Sequence, residues 1–183
     1  MLTLLAHELG HALTAKAFTR ATPIVIIGNL GGVTYTPVSM PTRMAHFLMV
    51  LAGPMASYAL GMVAAVFMGV QIGSISSALM IYTLDPLSLI TGIHAPEEAY
   101  MALAYAVESG GIGHFTLMLY STFFMVCFWW TIFNLMPILP MDGGQLLLTA
   151  TNKPKFVAMV GLGLSSLLAI WFLTGGNIFM TLM

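Results

Sequence analysis

The chain has 183 residues, 59% of them hydrophobic and 6% charged, with a net charge of -1. Soluble domains carry about 25% charged residues, so these few charges exclude a surface facing water throughout and make a lipid bilayer the expected surrounding. Nothing in the charge balance points to nucleic acid, and the single cysteine, Cys127, excludes an internal disulfide and a cysteine-based metal site.

The first apolar stretch, Leu2 to Phe18, predicts a helix close to the roughly 20 residues that span a bilayer. It holds His7, Glu8 and His11 and has no basic segment ahead of it, so it does not read as a cleavable signal peptide. Met1 nearly adjoins that motif, and the helix is expected to be short at its front end. A hairpin is expected between Thr19 and Met44. Ile24-Val25-Ile26-Ile27 is a β-branched run, Gly28-Asn29 supplies turn chemistry, Val33-Thr34-Tyr35-Thr36 is a second strand, and Pro37 and Pro41 end it. The second span runs from Ala45 to Val70.

The connection from Gln71 to Gly111 is mixed. Ile75 to Ile93 is apolar but interrupted by Asp85-Pro86, where Asp85 is expected to end a helix; Glu97 to Glu108 predicts a short helix. This connection is expected to lie on or dip into the membrane surface, since a fifth span near Ala78 to Ile93 would be short and would bury Asp85. The third span runs from Gly113 to Met136 and holds Cys127, which reads as a small lipid- or helix-facing residue. After it, Pro137 to Lys155 carries Asp142-Gly143-Gly144. The fourth span runs from Phe156 to Leu182, with Gly175-Gly176 as a place to break or end early. The expected fold is an all-α polytopic membrane protein of about four transmembrane helices. A small β-hairpin separates the first two, a Pro/Gly-broken loop follows the third, and residues 1–183 form one membrane-embedded core.

The basic residues, Lys16, Arg20, Arg43, Lys153 and Lys155, all fall at the first and third connections, and the second has none. With four spans these two connections share one face of the membrane. The positive-inside rule places that face in the cytoplasm and both termini outside; five spans would destroy the asymmetry.

His7-Glu8-Leu9-Gly10-His11 carries the first chemistry. Residues four apart share a helix face, so both imidazoles reach one metal ion, and Glu8 beside them can take a proton from a water held there. Three ionisable groups within five residues of an apolar helix are hard to explain as packing, because such groups are costly in a membrane. Catalytic zinc needs a third protein ligand. Asp142 is a candidate, since Pro137 and Pro140 break the helix before it and Gly143-Gly144 allow a tight turn. An ordinary surface turn explains the same residues equally well.

Asn134, Pro137, Pro140, Asp142, Gly143 and Gly144 form the pattern Asn-x-x-Pro-x-x-Pro-x-Asp-Gly-Gly. Following a His-Glu-x-x-His motif in an early membrane helix, it resembles the site-2 protease family of intramembrane zinc metalloproteases. The likeness extends to His11-Ala12-Leu13-Thr14-Ala15-Lys16, to Gly53-Pro54 and to Gly31-Gly32-Val33, nearly the whole chain apart from the second connection.

The resemblance implies one catalytic Zn2+ held by His7, His11 and Asp142, Glu8 as general base, and Asn134 near the substrate carbonyl. It also implies a β segment at Gly31, Gly32 and Val33 that pairs with an unwound transmembrane substrate. The chain is expected to be an integral protein of a prokaryotic cell (inner) membrane. His11 is five residues before Lys16, roughly 7.5 Å along a helix, so the active site is expected to open towards the cytoplasm.

Two departures stand out. Many members have Gly-Pro-x-x-Asn in the second helix, where this chain has Ser57, and the PDZ or CBS segments of some members are not seen, so a minimal catalytic core is expected. His46 and His114 read as interfacial anchors, His94 as solvated, and the sixteen methionines as packing residues. The rival readings are a zinc transporter, which usually needs a second helix of ligands, and a non-catalytic binder of membrane segments, against which the intact Glu8 argues.

Overall fold

Helix α1 (Leu2–Thr19) is inverted relative to a helix on a water-soluble core. In the computed structural model, which describes residues 1–28 and 31–181 and the side chains through 170 and at 173, its exposed ridge is Leu5, Leu9 and Leu13, 38%, 41% and 64% accessible. Its buried face holds Thr3, His7, Glu8 and His11. Leucine outward and ionisable groups inward is the arrangement that hydrocarbon surroundings favour. The helix ends at Arg20, whose left-handed backbone (φ 58°) lets its N–H bond to the Lys16 carbonyl.

The expected hairpin follows. Strands β1 (Ile24–Gly28) and β2 (Gly31–Tyr35) pair antiparallel in the register Ile26↔Val33 and Gly28↔Gly31, and both lie against α1. The expected turn residue Asn29 lies outside the described residues.

Helix α2 (Arg43–Gln71) is the hub, packed on α1 and on the helices that begin at Ile75, His114 and Asp142. Thr42 caps it, its hydroxyl accepting from the Ala45 N–H at 3.1 Å. Its glycines admit its neighbours. A Cβ on Gly53 would strike the His11 ring, one on Gly61 the Tyr82 phenol, and one on Gly69 the Ile75 backbone. Small residues that let helices approach closely are how bundles pack when lipid offers no hydrophobic drive.

The second connection departs from expectation at Asp85. Helix α3 (Ile75–Thr91) runs through Asp85-Pro86 instead of ending there. The carboxylate is used tertiarily: Asp85 Oδ1 accepts from the Ala95 N–H at 3.1 Å and from the Tyr100 hydroxyl, tying α3 to the start of α4 (Glu97–Glu108), whose bounds are those expected. The pair returns to its origin, since a Cβ on Gly111 would lie 3.5 Å from the Gln71 carbonyl. Helix α5 (His114–Asn134) therefore starts where α2 ends, and the extra helices leave the first and third connections at the same end. Cys127 is buried, its sulfur 3.4 Å from the Thr3 hydroxyl.

The third connection is not all loop: it contains helix α6 (Asp142–Thr151), packed against α2. The last helix, α7 (Pro154–Thr181), passes through Gly175-Gly176 without a break. Among the described residues two helices, α2 and α5, are long and apolar enough to cross a membrane. The expected first and fourth spans are helical over nearly their whole expected length, but four crossings do not follow from length and composition.

Candidate metal centre and active site

His7, His11 and Asp142 come together although 131 positions separate the second from the third. Helical spacing puts the two imidazoles on one face of α1, with their Nε2 atoms 3.1 Å apart. Asp142 Oδ2 lies 3.0 Å from His7 Nε2 and 3.4 Å from His11 Nε2. All three residues are buried.

The outer nitrogens fix what the inner ones are. His11 Nδ1 is 2.8 Å from the Met49 carbonyl, which only accepts, so Nδ1 carries the proton. His7 Nδ1 is 3.2 Å from Ser57 Oγ, and that hydroxyl donates to the Gly53 carbonyl, so here too Nδ1–H is the donor. Both Nε2 atoms then present lone pairs to a carboxylate oxygen that has no hydrogen-bond partner of its own. Three converging lone pairs repel one another unless a cation lies among them. Two imidazoles, a carboxylate and outer hydrogen bonds that orient the rings match the donor set of catalytic zinc.

Asp142 reaches the centre through the loop after α5. Backbone groups of this loop find partners within it: Ile138 N–H bonds to Met136 O at 2.7 Å and Met141 N–H to Ile138 O at 2.8 Å. Gly143 and Gly144 do not make the tight turn expected of them. They lie in the first turn of α6, where a Cβ would strike the Leu135 carbonyl or the Ile138 backbone. Glycine is needed for close approach. At the N-terminus of α6 the Asp142 carboxylate also faces the positive end of the helix dipole.

The centre opens on a cavity of about 570 Å³ whose walls include Glu8, Gly31, Gly32, Val33 and Asn134. Every expected site residue therefore lies at one place. Asn134 sits at the last position of α5, its Nδ2 donating to the Trp130 carbonyl at 2.8 Å. Trp130 also lines the cavity, edge-on to His7.

Sequence reading named three contributors without giving them their roles. Ser57 orients His7, Gly53 makes room for the His11 ring, and Thr34 bonds to Glu8. Gly53 and Ser57 were legible only through the Gly-Pro-x-x-Ser stretch of α2, and Thr34 only as a strand residue. His46, expected as an anchor, instead bonds through Nδ1 to Thr149 Oγ1 at 2.9 Å and ties α2 to α6. His94 and His114 are exposed.

The family model for Peptidase family M50 matches residues 1–183. No curated protein and no solved structure matches the chain.

Proposed function

The chain belongs to peptidase family M50, the site-2 protease family, whose members are membrane-embedded metallopeptidases, and from that premise we propose that it is an intramembrane zinc metalloendopeptidase. It hydrolyses a peptide bond within or near a transmembrane segment of a membrane-protein substrate, as in regulated intramembrane proteolysis. The observation that carries this reading is the convergence of two imidazole lone pairs and the unpartnered Asp142 oxygen beside Glu8.

When bound by His7, His11 and Asp142, zinc supplies Lewis acidity to the scissile carbonyl and to a water. Glu8 takes the proton of the attacking water and returns it to the leaving amide nitrogen. Asn134, which lines the same cavity, offers its second amide N–H to the developing oxyanion. A helical substrate hides its amides, so it unwinds locally and adds to the edge of the hairpin at Gly31, Gly32 and Val33 through backbone hydrogen bonds.

The site opens towards the cytoplasm. The Arg43 end of α2 and the Lys153 end of α6 lie together, held by His46 and Thr149, which supports one basic face for both connections. A prokaryotic inner membrane suits this orientation.

Cleavage of a model transmembrane substrate by the purified chain tests the proposal. Activity should vanish on chelation and return with stoichiometric zinc. Cleavage that survives complete removal of metal would refute it.

A further inference from the structure

Strand β2 lies directly on Glu8. Thr34 Oγ1 is 2.7 Å from Glu8 Oε2 and 3.1 Å from the Glu8 carbonyl, so its single proton serves the carboxylate at the shorter distance. Two residues earlier in the strand, on the same face, a Cβ on Gly32 would collide with the Glu8 side chain. Val33, between them, points the other way and is exposed. One face of β2 thus fits over Glu8, with glycine where the carboxylate needs room and a hydroxyl where it needs a donor. The same strand has β1 on one side and no third strand among the described residues on the other.

We propose that Thr34 is a positioning residue for the Glu8 carboxylate, and that β2 thereby couples substrate pairing to the alignment of the general base. Glu8 sits on α1, whereas the donor that fixes its rotamer sits on the hairpin. Movement of the hairpin therefore moves the carboxylate. Substrate added to β2 stiffens the strand, and the base is held most firmly when a peptide is in place. This inference rests on the proteolytic reading of the site.

The test uses the full zinc-loaded chain and compares Thr34→Val, which keeps shape but removes the donor, with Thr34→Ser, which keeps the donor. Hydrogen bonds to charged groups are typically worth about 10- to 100-fold. Thr34→Val should lose roughly that much in kcat while KM and zinc content stay near wild type, and Thr34→Ser should recover most of it. A loss confined to KM would overturn the inference and make Thr34 part of the docking strand alone. So would loss of zinc from Thr34→Val, an equal loss in Thr34→Ser, or an unchanged kcat. An inactive wild-type chain would instead overturn the proteolytic reading, whereas an active one with unimpaired Thr34→Val would overturn this inference only.

Discussion

His7 Nδ1 and Ser57 Oγ lie 3.2 Å apart, and the Ser57 proton is directed away to the Gly53 carbonyl. The serine therefore accepts from His7 and holds the imidazole in the tautomer whose Nε2 lone pair faces the metal centre. A hydroxyl oxygen fills the acceptor role here.

Removing that acceptor should weaken metal binding. Partners of this kind are worth about 10- to 100-fold in metal affinity. Ser57→Ala should show a loss in that range by competition with a chelator of known affinity, and Ser57→Thr should show little. Equal affinities for all three would mean that the ring is oriented by packing alone.

Membrane orientation is open to labelling. Cysteine at position 153 should be protected from impermeant reagent added outside, and Ser109→Cys, at the far end near Gly110, should react. The prediction follows from the basic residues at the first and third connections and from the return of α3 and α4 to the Gln71 end of α2. Outside labelling at 153 would reverse the orientation.

Proline at position 33 addresses substrate pairing. Val33→Pro removes one backbone donor from β2 and distorts the strand. Cleavage should fall with bound zinc unchanged, because no metal ligand lies on the hairpin. Normal cleavage would show that substrate docks elsewhere.

Much of this was legible in the sequence because it is local. The spacing of His7 and His11 needs only a helix, the β-branched run Ile24 to Ile27 needs only a partner strand, and Glu97 to Glu108 carries its own acidic start. What was hidden depends on tertiary contact. Gly143-Gly144 are poor helix formers and mask α6, because their value lies in letting that helix touch the Leu135–Ile138 backbone. Asp85-Pro86 reads as a helix end, yet α3 continues because Ala95 and Tyr100 satisfy the carboxylate from outside the helix. Thr34 looks like any strand threonine; its hydrogen bond to Glu8 appears only when β2 folds over α1.

The central claim is that His7, His11 and Asp142 hold the metal while Glu8 moves the proton, and metal analysis of purified variants alongside cleavage of a model transmembrane substrate tests it most directly. Alanine at His7, His11 or Asp142 removes one of three ligands and should strip zinc from the chain. Glu8→Gln keeps the size and an acceptor for Thr34 but cannot take a proton. It should retain about one zinc per chain and lose about 100- to 10,000-fold in cleavage rate, the usual worth of general-base catalysis. Zinc retained in Asp142→Ala, or brisk cleavage by zinc-loaded Glu8→Gln, would contradict the assignment.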